Sequence, residues 1–315
     1  MRSPLQGGLP PTGAVTGAVV EIACDESGFS GTNLLHSGTP VIAHASVDLS
    51  VAEATELIGT LRSGFRFSPH ELKSGRFLRQ PGAARDRFLA ALAGRALVHL
   101  IDKEFFLVTR VVDLMLSEPS YTAGTSLAAH HRAAALALYR AGRTAGAAWD
   151  DFLAAFADLV RRRRQPDPRA AERFLRARDR LRDSGLGTDP VLTALRPAAV
   201  RAVRSRLDAD DRSMPPPLEP LLPALAETVL FWSRGRRRVL VFHDEQSALT
   251  ADRLTRLQQA LAGDGGSPLA GLVMVDSRDD PRVQVADLLA GIARRAPAAV
   301  DGRLLSATSL RDPGA

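Results

Sequence analysis

The hydrophobic positions of this chain change period twice along its length. Near the start, Val19, Val20, Ile22 and Ala23 make a β-rich run that ends in the polar turn Asp25-Glu26-Ser27-Gly28, so Ala18–Cys24 reads as a first strand. A Gly/Ser/Asn-rich connection, Ser30–Thr39, leads to a second strand at Pro40–Val47. Val51–Leu61 then fits a helix behind Ser50, with Glu53 three residues on completing a capping box. A helix over Asp86–Leu92 and strands over Leu97–Asp102 and Phe105–Val108 follow. From Ser126 to Leu207 almost every residue is Ala, Arg, Leu or Asp at helical spacing. Trp149, Phe152, Phe156, Leu159 and Val160 share one face there. Three consecutive prolines within Ser213–Pro217 close that block. Beyond it come a helix over Leu221–Trp232 and a strand over Val239–His243. A helix through Leu254, Leu257 and Leu261 stops at Gly263-Asp264-Gly265-Gly266. The strand Gly271–Asp276 and a last helix over Pro281–Arg295, with Pro281 suited to its first turn, complete the pattern.

Strands alternate with helices at both ends and a helical block separates them. This predicts an α/β fold, a mixed sheet flanked by helices, with a large all-helical insertion. The expected boundaries are a tail over 1–14, a first half over 15–118, the insertion over 119–217, a second half over 218–297 and a tail over 298–315. The 315 residues are 45% hydrophobic and 24% charged, which excludes wholesale disorder. No stretch approaches about 18 uninterrupted apolar residues, so a membrane partner is not expected. The single cysteine, Cys24, excludes an internal disulfide and reads as a small buried hydrophobe. Arg2 and the glycine-rich run Gly13–Val20, followed by Glu21, make a poor export signal, and the expected compartment is the cytoplasm.

The net charge is +6, and of 41 basic residues only Lys73 and Lys103 are lysine. That bias looks like a GC-rich bacterial genome, so the arginine excess alone says little about nucleic acid. Its distribution says more: Arg161–Asp183 holds ten arginines against four acids. The leading run, Arg161, Arg162, Arg163 and Arg164, is either a solvated helix end or a grip on a phosphate backbone.

Acids sit at the ends of elements. Asp25 closes the first strand and Asp244 closes Val239–His243. Asp287 shares a helix face with Gln284 and Gly291, next to the apolar face of Leu288, Leu289 and Ile292. Glu71 lies in His70-Glu71-Leu72-Lys73-Ser74, after Pro69. Four converging carboxylates would repel one another by about 4 kcal/mol per pair at about 4 Å and an effective dielectric near 20. They would hold protons or recruit Mg²⁺ or Mn²⁺, and one or two such ions can drive phosphodiester hydrolysis.

Each acid has a plainer reading. Asp25 could be a turn acid, Asp244 a helix cap, and Glu71 the partner of Lys73 in a surface ion pair. Glu26 is expected to face solvent, His243 to pack on the opposite side of the sheet from Asp244, and Asp276 to end a strand and order Ser277. His130-His131 reads as an exposed pair. Several chemistries are excluded by missing motifs: there is no G-x-x-x-x-G-K-[ST] loop, no G-x-S-x-G elbow and no H-E-x-x-H helix.

Taken in order, Asp25-Glu26-Ser27-Gly28, Glu71-Leu72-Lys73-Ser74, Val239–Asp244 and Asp276-Ser277 with Gln284-Val285-Ala286-Asp287-Leu288 resemble one bacterial family. It is the family catalogued as domain of unknown function 3800, matched from about Ala18 to Ala293 with the helical block as a variable insertion. The resemblance implies a ribonuclease H-like fold and Asp25, Glu71, Asp244 and Asp287 as metal ligands. It also puts Lys73 and Lys103 at basic positions, Lys73 to steer phosphate oxygens. Glu245-Gln246-Ser247 departs into a variable segment. The expected function is a metal-dependent nuclease acting on DNA or RNA. The alternative is a non-catalytic nucleic-acid-binding or assembly protein, such as a mobile-element or phage-defence component, with a homodimer through the helical insertion as a further expectation.

Overall fold

The computed structural model describes residues 7–29, 31–35, 38–64, 74–79, 82–117, 119, 131–161 and 167–312. Five strands join in one mixed sheet: β1 (Val19–Ser27), β2 (Val41–Val47), β3 (Ala96–Asp102), β4 (Arg238–Asp244) and β5 (Leu269–Val275), in the order β3-β2-β1-β4-β5. β1 is antiparallel to β2 and parallel to β4, and β4 is parallel to β5. Among the described residues no helix is long and apolar enough to cross a membrane.

The chain divides into two compact units. One comprises Met1–Phe29, Val41–Leu100 and Leu221–Ser309; the other comprises Ser30–Pro40, Ile101–Pro220 and Leu310–Ala315. In the first, side chains alternate across the sheet as strand geometry demands. Ala23, Ala43, Ala45 and Val47 face a core built by α1 (Val51–Gly64), α3 (Gly82–Ala91) and the last long helix, α12 (Pro281–Arg295). α12 lays Val285, Leu288, Leu289 and Ile292 into that core. A short helix, α2 (Ser74–Phe77), packs on α12 as well. His44 and Ser46 face the other side, where α10 (Leu221–Ser233) lies. There Trp232 Nε1 donates to Ser46 Oγ at 2.8 Å, and Thr228 Oγ1 stands 3.3 Å from His44 Nδ1. The crossover from β4 to β5 runs through α11 (Ala251–Leu261).

The capping box at the start of α1 forms as expected, with Glu53 Oε2 accepting from Ser50 N at 2.7 Å and Ser50 Oγ accepting from Glu53 N at 3.2 Å. Residues 7–9, expected to lie in a tail, instead bridge Leu9 to Leu272 of β5. The stretch after 297, also expected to be a tail, buries Val300 and Leu304 and bridges Leu305 to Val98 of β3.

The second unit is helical: α4 (Lys103–Leu116), α5 (Arg132–Gly142), α6 (Ala147–Val160), α7 (Ala170–Leu181), α8 (Pro190–Ala194) and α9 (Pro197–Asp208). Trp149, Phe152 and Phe156 of α6 are buried, and Phe174 of α7 meets Phe152 and Phe156 with ring centroids 5.3 and 5.7 Å apart. One expectation fails here. Phe105–Val108 is not a strand but part of α4, which Asp102 caps by accepting from Phe105 N at 2.8 Å. α4 is buried on nearly every side, so its apolar residues run on without a helical gap, and such a run looks the same in either state. α4 therefore belongs with the helical unit, whose longest segment is Ile101–Pro220, and not with the first half over 15–118 as expected.

Candidate active site

Parallel pairing sets Cys24 of β1 beside His243 of β4, so the next residues, Asp25 and Asp244, lie near the ends of neighbouring strands on the same face of the sheet. The turn expected from Asp25 onward does not form, because β1 stays paired with β2 through Ser27. α12 covers that face and runs alongside β1. Near its start Arg282 Nη1 donates to Glu21 Oε2 at 3.2 Å, and near its end Arg294 Nε donates to Ser27 Oγ at 2.9 Å. Asp287 lies between those two ties. Three of the four acids singled out in the sequence are thus brought to one region by β1, β4 and α12.

Electrostatics bear this out for Asp25, which is buried. Burial is the largest influence on its carboxyl, followed by the negative charges of Glu26, Asp287 and Asp244, and all four push its proton affinity well above the usual carboxylate range. Only the backbone N–H of Glu26, donating to Asp25 Oδ1 at 2.7 Å, opposes them. Asp244 is half-buried. Burial raises its pKa as well, against the backbone N–H of Ser277, which donates to its Oδ1 at 3.1 Å. Ser277 is therefore ordered by Asp244, and Asp276 instead pairs with Arg278.

Glu26 departs from expectation. It does not face solvent: its side chain is 12% exposed and lies on the sheet face opposite Asp25, with His243. Its Oε1 accepts from Gln246 Nε2, while Oε2 stands 3.9 Å from His243 Nε2 and has no hydrogen-bond partner among the described residues. Burial pushes Glu26 up to about 7, and Asp244 adds to the rise against the Gln246 bond. Alternation along β1 gave its direction correctly. It did not reveal that β1 is a central strand whose second face stays covered to its end. His243 lies where expected, across the sheet from Asp244, its ring centroid 5.5 Å from that of His44. Burial pushes both imidazoles below their ordinary value, so both are neutral near pH 7.

Glu71 and Lys73 fall outside the described residues, as do Arg162, Arg163 and Arg164. The residue that follows Lys73 is placed. Ser74 begins α2 and presses on α12 at Gly291, one turn beyond Asp287: a Cβ on Gly291 would come within 2.1 Å of the Ser74 Cβ. Gly291→Ala should therefore destabilise the protein by about 1–3 kcal/mol through overpacking. An unchanged urea midpoint would show that α2 does not sit this close in solution. Arg161 ends α6 half-buried in the helical unit, beside a small cavity of about 130 Å³ that Leu34 and Asp158 also line. Lys103, the first residue of α4, is buried in the same unit with its Nζ 3.4 Å from Thr39 Oγ1.

The donor set near Asp25 is all hard oxygen, and a divalent cation would relieve its crowded charge, so its chemistry fits Mg²⁺ or Mn²⁺. Its assembly goes less far. Among the described residues no three His, Cys, Asp or Glu side chains form a group that could hold a metal ion. No family model, no curated protein and no solved structure matches this chain.

Proposed function

We propose that this chain is a divalent-metal-dependent phosphodiesterase acting on nucleic acid, a nuclease of ribonuclease H-like fold with the helical unit as its insertion. The observation that carries the reading is the Asp25 carboxyl, made hard to ionise first by burial and then by the charges of Glu26, Asp287 and Asp244, the last two arriving from other elements. A mixed sheet with acids near the ends of its adjacent central strands is consistent with the family resemblance carried by the four motifs.

Asp25, Asp244 and Asp287, with Glu71 as the resemblance implies, are the residues that would hold Mg²⁺ or Mn²⁺. The ion when bound polarises a phosphoryl oxygen and lowers the pKa of water. The chain's own contribution is preorganisation. Glu26 N–H holds Asp25 Oδ1 and Ser277 N–H holds Asp244 Oδ1, so neither carboxylate is free to swing away. Lys73 is assigned to steer phosphate oxygens and Arg161–Arg164 to grip a phosphate backbone, the alternative for the helical unit being to pair with a second copy of the chain.

A second reading, a non-catalytic nucleic-acid-binding protein of the same fold, is favoured by the lack of a three-ligand group among the described residues. Incubation of single-stranded DNA, double-stranded DNA and RNA with the full chain and Mn²⁺ separates the two. Cleavage that EDTA stops and Asp244→Asn removes supports the nuclease. Salt-sensitive binding that survives EDTA and Asp244→Asn, without cleavage, supports the other.

A further inference from the structure

Arginine at the end of a helix ordinarily complements the helix dipole, but Arg294 is turned elsewhere. On α12 it lies seven residues beyond Asp287, two turns along the same face and about 10 Å further on. Its Nε donates to Ser27 Oγ, two residues past Asp25, about 7 Å along the extended strand. It is half-buried, and among the described residues it has no carboxylate partner. The buried arginines contrast with it, since Arg110 holds Asp113, Arg204 holds Asp208, and Arg282 holds Asp280 and Glu21. Burial and the neighbouring Arg295 both act against the charge of Arg294. Arg295 is itself tied to a hydroxyl, Nη1 donating to Ser74 Oγ at 3.2 Å. Its guanidinium passes over Gly75, where a Cβ would come within 3.0 Å.

Two serines therefore aim two adjacent guanidiniums without neutralising either, at the margin of an acidic site. A half-buried cation without a counter-charge is unfavourable on its own and becomes favourable when an anion arrives. With Nε engaged by Ser27, the two terminal nitrogens of Arg294 form a fork matched to two oxygens of one phosphate.

We propose that Arg294, aimed by Ser27, binds a phosphodiester group of a nucleic-acid strand beside the acidic site, with Arg295 as a second cation. This deepens the nuclease reading and rests on it for the identity of the anion. Nη1 and Nη2 donate to the non-bridging oxygens, which draws the strand along β1 toward Asp25.

The test separates binding from turnover by using full-length protein carrying Asp25→Asn, titrated against a fluorescent single-stranded oligonucleotide at several salt concentrations. Adding Arg294→Gln should weaken binding about 10- to 100-fold and reduce the salt slope by about one phosphate contact. Arg294→Lys should fall in between, and Arg278→Gln, which alters a surface arginine already paired with Asp276, should change nothing. Equal affinity and slope with and without Arg294→Gln would overturn the proposal, as would the absence of salt-dependent binding by the parent. Cleavage by the otherwise native chain in Mn²⁺ is scored separately. Loss of binding on Arg294→Gln without any native cleavage leaves Arg294 standing and removes the nuclease reading. Cleavage with unchanged kcat and KM in Arg294→Gln does the reverse.

Discussion

Asp25→Asn should abolish Mn²⁺-dependent cleavage and, in metal-free protein, make the fold more stable. The two effects share one cause. Asp25 is buried among Glu26, Asp287 and Asp244, and each of those charges disfavours its ionised form. Asparagine keeps the shape and the oxygen that accepts from Glu26 N–H, and removes the repulsion. A gain of about 1–2 kcal/mol is the usual scale when a functional site trades activity for stability. On the proposed nuclease reading the same change would delete a ligand of a metal worth several kcal/mol to the transition state, on the order of a thousandfold in rate. Urea denaturation in EDTA reads the first effect and oligonucleotide cleavage reads the second. Destabilisation in EDTA would mean that the acids do not crowd one another, and the electrostatic case for the site would fail.

Glu26 gives the second large effect, in the pH dependence of stability. Its carboxyl is raised from 4.5 to about 7 in the folded chain. A raised acid binds its proton more tightly when folded, so its contribution is fully present below about 4.5 and is lost as pH rises through about 7. Each tenfold gain in proton affinity is worth about 1.36 kcal/mol, which brings the whole effect to roughly 3 kcal/mol. His44 and His243 act in the opposite sense: buried and neutral, they weaken the fold as pH drops below their ordinary value of 6.5. The quantity to measure is therefore the stability of Glu26→Gln minus that of the native chain, in which the histidines largely cancel. In EDTA this difference should be flat below about 4.5, rise by about 3 kcal/mol across the window and level off above about 7. A flat difference throughout would show that Glu26 is solvated like an ordinary glutamate.

Local signals carried most of the fold. The Ser50–Glu53 box, the proline at the start of α12 and the period of the β-rich runs each depend on a few neighbouring residues. These elements appeared where their patterns put them, except that β1 runs on to Ser27 through residues expected to turn. Phe105–Val108 failed because the information was not local. α4 is enclosed by other helices of its unit, and enclosure erases the polar face that distinguishes a helix from a strand. The site divides along the same line. Asp25, Asp244 and Asp287 stood out because acids at element ends next to apolar runs are unusual at short range. Glu26 and Arg294 did not, since one depends on what covers the second face of β1 and the other on which residue of β1 lies opposite the last turn of α12. Both facts belong to the register between elements far apart in the sequence.

Leu9 lies against β5 and Leu305 against β3, so each outermost strand of the sheet already carries a bridged segment from near one end of the chain. An outer strand with bare amide and carbonyl groups is a template on which another polypeptide can add itself. Both such templates are blunted here. Trimming either terminal stretch should therefore lay bare more of the sheet's margin to a foreign strand.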